Sequence, residues 1–90
     1  MHHTNVNTLT LFPNPSMGEL NLILDLSDEE KVQIEVYDLS GRNVQTLNMG
    51  RLTSGKHYLK LDTSEYRQGV YLIKSFTEKK TIANHKFIKL

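Results

Sequence analysis

The sequence predicts an all-β sandwich of about seven short strands. Three observations predict it. Apolar and polar residues alternate with period two along several short segments, turn-forming residues recur about every 8–12 positions, and no segment carries a helical period long enough to build a helix.

The elements follow in order. Leu9–Phe12 is a short apolar run stopped by Pro13-Asn14-Pro15-Ser16. Its two prolines fix φ near about −65° and remove two backbone donors, so the chain has to leave any sheet there. Gly18 offers a turn before Leu20, Leu22 and Leu24, which alternate with Asn21, Ile23 and Asp25. Ser27–Lys31 is a polar connection. Val32, Ile34 and Val36 then alternate with Gln33, Glu35 and Tyr37, the clearest strand pattern in the chain. Asp38-Leu39-Ser40-Gly41 is hairpin chemistry, because Asp bonds to its own backbone and Gly accepts positive φ. Asn43–Asn48 is the expected return strand, and Gly50 and Gly55 are expected to bracket a second loop. Leu59 and Leu61 mark the next strand. Thr63–Gly69 is expected to be a crossing loop holding at most one helical turn. Val70–Ile73 is a continuous apolar run, the pattern of a central strand covered on both faces. The last strand, or a pair split near Asn84, covers Thr81–Leu90, with Asn84-His85 interrupting its pattern.

A chain of 90 residues is one small domain with little room for a deep cofactor cleft. It has no cysteine, which excludes disulfides, a thiolate nucleophile and cysteine-ligated zinc. The start, Met1-His2-His3-Thr4-Asn5, lacks the basic and apolar regions of a signal peptide and reads as a tag remnant. Residues 1–8 are therefore taken as a leader or linker and residues 9–90 as the domain. The net charge of +1 gives no global pull towards nucleic acid. The charge is nevertheless uneven. Lys74, Lys79, Lys80, Lys86 and Lys89 face a single acid, Glu78, in the last segment, which makes it a basic strip.

Catalytic and metal chemistry find little purchase. His2, His3, His57 and His85 show no metal-ligand spacing. Ser54, His57 and Asp62 can be named as a triad, but no nucleophile elbow surrounds any serine. Asp25, Asp28, Glu29 and Glu30 lack the alternating order of a calcium loop and read as a solvated hairpin tip. Tyr66 and Tyr71 read as core or corner residues with bonded hydroxyls rather than a sugar-stacking platform. The lysines have two readings: contacts to an anionic partner, or edge protection and solubility for the last strand.

Four stretches carry a family resemblance. Leu11-Phe12-Pro13-Asn14-Pro15-Ser16-Met17-Gly18 resembles the aromatic-Pro-Asn-Pro-x-x-Gly opening of the type A C-terminal sorting domain of the type IX (Por) secretion system of Bacteroidetes. Val36–Val44, with Tyr37, Asp38, Gly41 and Arg42, is similar to that family's hairpin. Gly69-Val70-Tyr71-Leu72-Ile73-Lys74 is similar to its Gly-x-Tyr strand, and Lys79–Leu90 to its basic closing strand.

The resemblance implies an immunoglobulin-like antiparallel sandwich without a catalytic site or cofactor. The implied role is an address label on an exported cargo attached at its N-terminal side. The implied partners are the outer-membrane shuttle and translocon proteins of the type IX system and a sortase-like peptidase, and not nucleic acid. The label is expected in the periplasm in transit, with the cargo then at the cell surface or secreted. It is usually cut off, here in or before Thr4–Thr8. Pro13, Asn14, Pro15 and Gly18 would shape the first turn, Asp38, Gly41 and Arg42 the hairpin, and Gly69 and Tyr71 the central strand. Lys79, Lys80, Lys86 and Lys89 are the positions where the machinery is expected to read the signal, helped by the unpaired backbone of an edge strand. The competing reading is an immunoglobulin-like carbohydrate-binding or adhesion module of an extracellular enzyme, which would need an exposed aromatic platform or a calcium loop. Short exposed edges would also allow an edge-paired or swapped homodimer.

Overall fold

The computed structural model describes residues 7–90, so the reading of His2 and His3 as tag residues, most of the leader and the expected cleavage region fall outside the described residues. Seven strands follow one another: β1 (Thr8–Phe12), β2 (Glu19–Leu26), β3 (Glu30–Asp38), β4 (Asn43–Leu52), β5 (Gly55–Asp62), β6 (Gly69–Thr77) and β7 (Thr81–Lys89). They form two sheets, β1-β2-β5 and β4-β3-β6-β7, in which every strand pair is antiparallel. This is the immunoglobulin-like plan, with β4 placed beside β3 rather than beside β5.

The inward residues are those the period-two pattern selects. Leu20, Leu22, Leu24 and Leu26 from β2 meet Val32, Ile34 and Val36 from β3, and all seven are buried. Leu9, Leu61, Tyr71, Ile73 and Phe87 complete the aliphatic and aromatic filling between the sheets. Because side chains on a strand alternate in direction, a slip of one residue would turn this whole set to solvent, so the register is strongly held.

Two local expectations need correction. First, β4 runs on to Leu52, and the loop expected between Gly50 and Gly55 shrinks to Thr53 and Ser54. Gly50, with φ of 71°, sits where the β3–β4 register shifts between Val32 and Gln33. It relaxes a bulge inside the strand rather than ending it. Second, β6 is central in its sheet, between β3 and β7, yet it buries only one face. Tyr71, Ile73, Ser75 and Thr77 point inward while Lys74 is exposed, because a sandwich has only one covered side per sheet. The crossing loop expected at Thr63–Gly69 is there, folded as a turn in which the Tyr66 amide donates to the Thr63 carbonyl at 3.0 Å. The last strand is also continuous through Asn84 and His85; its irregularity lies earlier, where Ser75 pairs with Ala83 but Phe76 with Thr81.

After Phe12 the chain leaves the three-stranded sheet, as the prolines require, and crosses to the other one. There Asn14–Ser16 lies along the outer edge of β7 as a strap. The Ser16 amide donates to the Ile88 carbonyl at 2.7 Å, and the Leu90 amide donates to the Ser16 carbonyl at 2.8 Å. Asn14 adds two side-chain bonds, accepting from the Ile88 amide at 3.0 Å and donating to the Lys86 carbonyl at 3.4 Å. Ser16 is fully buried, and its hydroxyl bonds the Glu19 carbonyl at 3.0 Å and the Thr63 hydroxyl at 3.3 Å. The Thr63 amide in turn donates to the Gly18 carbonyl at 3.0 Å. One serine thus joins the start of β2, the crossing loop and the last strand.

The two bonds of Asn14 are exposed and the hydroxyl bonds of Ser16 are not. Asn14→Ala should therefore cost about 1 kcal/mol, at the mean for a single net hydrogen bond, and Ser16→Ala about 1–3 kcal/mol because it leaves buried partners unmatched. Thermal unfolding of the two variants, with the larger fall in Tm for Ser16→Ala, checks the ranking.

Candidate functional site

The sandwich has two poles. At one lie Thr8, the turn from Leu26 to Glu30, and the β6–β7 hairpin at Thr77–Thr81, with the exposed Arg51 between Glu29 at 3.7 Å and Glu78 at 3.9 Å. At the other lie the strap, the Asp38–Arg42 hairpin, the crossing loop and the end of β7. The long axis between the poles spans 44 Å.

Most of the motif residues singled out from the sequence gather at the second pole. Pro13, Asn14, Pro15 and Gly18 build the strap and its exit. Asp38 organises the hairpin: its Oδ1 accepts from the Ser40 hydroxyl at 2.7 Å and from the Ser40 and Arg42 amides, each at 3.0 Å. Gly41, at φ of 88°, allows the reversal that returns Gly41 N–H to the Asp38 carbonyl at 3.1 Å. The Arg42 guanidinium lies 3.9 Å from Asp38, and both are solvent-accessible, so this pair adds little. The Ser40 hydroxyl bond first, and the Arg42 amide second, hold the Asp38 carboxyl below its ordinary range. Asp62 is lowered likewise by Ser64.

Gly69 opens β6, and Tyr71 fixes the pole from within. Its ring stacks on Phe87 with centroids 5.4 Å apart and leans on Tyr66 at 5.0 Å. Its hydroxyl donates to the Arg67 carbonyl at 2.6 Å, four residues back, in the manner of a tyrosine corner. Tyr66 donates to Gln45 at 2.6 Å, and burial pushes its hydroxyl up to about 12.

The four lysines do not form one cluster. Lys79 and Lys80 sit at the first pole, where their amides donate to the Thr77 hydroxyl at 3.1 and 3.2 Å. Lys86 projects from the outer face of β7, roughly 20 Å further along at about 3.3 Å per residue. Lys89 departs from the spacing expected of a solvent-facing strip. It turns inward, is only 7% exposed, and donates to the Tyr66 carbonyl at 3.3 Å and the Leu90 carbonyl at 3.2 Å. Nor is the backbone edge of β7 bare where it was expected to be read, because the strap occupies it at Lys86, Ile88 and Leu90. Sequence reasoning missed Ser16 and Thr63, whose only signal was a small polar residue beside a proline and another at a strand end.

The other candidates come apart. His57 bonds the Thr53 carbonyl at 2.7 Å, and it lies on the opposite side of β5 from Asp62, so Ser54, His57 and Asp62 do not converge. Among the described residues no three of His, Asp and Glu converge as metal ligands would. Among the described residues the exposed aromatics of the three-stranded sheet are Phe12 and Tyr58, which lie diagonally across β2 and line one shallow depression with Asn21 and Ile23.

Removing only the Tyr71 hydroxyl, as Tyr71→Phe, should cost about 1 kcal/mol while keeping the ring stack, measured by urea unfolding. The lowered carboxyls of Asp38 and Asp62 contribute stability that is complete above the unfolded value near about 3.9 and lost as pH falls through their folded values. A urea midpoint that drops on acidification below about pH 4, with a shallower drop in Asp38→Asn, is the expected result.

An immunoglobulin-like protein from Pseudomonas aeruginosa shares this fold. The two are 9% identical, with a TM-score of 0.59 over 93% of this chain and 91% of that one. No curated protein matches the chain. The family model for the secretion system C-terminal sorting domain matches residues 10–90, from β1 to the end of β7. The chain therefore belongs to the C-terminal sorting domain family of the type IX secretion system, and its role is that of a sorting signal for an exported cargo.

Proposed function

We propose that this domain is the outer-membrane address of a cargo joined at its N-terminal side, and that it is removed after passage. The family match over residues 10–90 carries the reading. The two-pole geometry supports it. A cargo joined ahead of Thr8 leaves at the pole of Lys79 and Lys80, so the strap, the hairpin and the end of β7 stay clear of it. The outer-membrane shuttle and translocon proteins then meet the strapped end, and a sortase-like peptidase meets the linker at the other pole. Separating the two by the length of the domain lets recognition and cleavage proceed without competing for one surface.

A signal peptide and fluorescent reporter fused ahead of residues 7–90, expressed in a bacterium with a type IX system, tests this. The reporter should reach the surface or the medium with the whole domain and stay in the periplasm when the segment from Lys79 onward is deleted. Retention of the whole-domain fusion in the periplasm would overturn the reading.

A further inference from the structure

The outer face of the four-stranded sheet is not uniformly polar. Towards β3's start it shows Lys31, Gln33 and Glu35, whereas at the strapped pole it turns apolar. Leu72 sits between Tyr37 on β3 and Lys86 on β7, and Val70 pairs with Ile88. Leu39, at the tip of the adjacent hairpin, is 77% exposed and Ile88 is 42% exposed. Leu39, Val70 and Leu72 line a depression of about 350 Å³ with Tyr37, Lys74 and Lys86, and with Asp38, whose carboxylate is already bonded within its own hairpin; Ile88 lies beside it, opposite Val70.

Stability does not account for these side chains, since they face away from the core. Nor does charge pairing within the domain. The carboxylate of Glu35 already accepts from the Tyr37 hydroxyl at 2.6 Å and from Gln33 at 2.9 Å, while Lys74 lies over the Tyr37 ring at 5.2 Å. Among the described residues neither Lys74 nor Lys86 forms an ion pair. An apolar hollow rimmed by unpaired cations fits an apolar side chain flanked by carboxylates. A concave hollow of this size suits one inserted side chain better than a flat bilayer, and its two lysines would repel a second copy of the same face.

We propose that this surface, built by Leu39, Val70 and Leu72 with Ile88 beside them and Lys74 and Lys86 flanking, docks an acidic protein segment of the export machinery through an inserted apolar side chain. The identity of the partner rests on the sorting reading; the surface itself rests on the geometry. It places recognition on a side-chain face at the strapped pole, not at the Lys79-Lys80 tip and not on the occupied edge of β7.

The reporter fusion tests it with four variants. Lys86→Glu and Leu39→Asp, both at exposed positions, should each lower exported reporter by at least roughly tenfold, the scale of a wrong charge or a lost anchor at such a contact. Lys86→Arg should stay within about twofold of the parent, as should Lys79→Glu combined with Lys80→Glu. Unchanged Tm of the purified Lys86→Glu domain shows that folding is intact. Export of both strapped-pole variants at the parent level, or loss of export only in the Lys79/Lys80 variant, overturns the proposal while the sorting reading stands. Failure of the parent fusion itself removes the sorting reading and the partner with it. A purified domain that dimerises, or that sediments with anionic vesicles, and loses that behaviour on Lys86→Glu would assign the surface to another occupant and overturn it as well.

Discussion

The arrangement depends on one buried serine. Ser16 spends its amide and carbonyl on β7 and its hydroxyl on the start of β2 and on Thr63, so every polar group it carries is matched inside the protein. Burying such groups unmatched would cost about 1–3 kcal/mol each, so the site is stable only when all its partners are present. The prolines on either side of Asn14 bring it there. They cannot donate to a ladder, so the chain leaves the first sheet at Phe12 and becomes available to the second. The strap is thus a hydrogen-bonded tie between the two sheets, added to the turns that carry the chain from β2 to β3, β4 to β5 and β5 to β6.

From that tie the rest of the strapped pole is built inward and outward. Inward, Tyr66, Tyr71 and Phe87 fill the end of the core, and Lys89 reaches over them to the Tyr66 carbonyl. Outward, the same strands present Val70, Leu72, Lys86 and Ile88, because alternation sends each neighbour of a core residue to solvent. Phe87 and Lys86 therefore serve different ends one residue apart: one holds the pole together and the other shapes what it shows.

Much of the fold was legible in the sequence, since alternation of Leu20, Leu22 and Leu24 or of Val32, Ile34 and Val36 reports the buried face directly. What escaped was non-local. Gly50 has the chemistry of a turn and of a bulge alike, and only pairing with β3 decides between them. The run at Val70–Ile73 looks buried on both faces because its outward residues, Val70 and Leu72, are apolar as well. Lys89 cannot be told from Lys86 by type; its inward direction follows from its place opposite Gly69 and its reach to a carbonyl on a distant loop. The motif residues of the site were legible as motifs, whereas their convergence on one pole was not, because the strap contacts join positions 72 and 74 residues apart.

That separation gives the strap a bearing on the order of assembly. Contacts between such distant positions carry a large loop-closure entropy. Ser16 emerges from the ribosome early and can find its partners only once Ile88 and Leu90 have been made. A polypeptide that stops short of them leaves the serine's amide and carbonyl without the groups that match them. Closure of the strapped pole therefore waits on the last strand: a serine made early keeps its amide and carbonyl open until the residues that match them have been added.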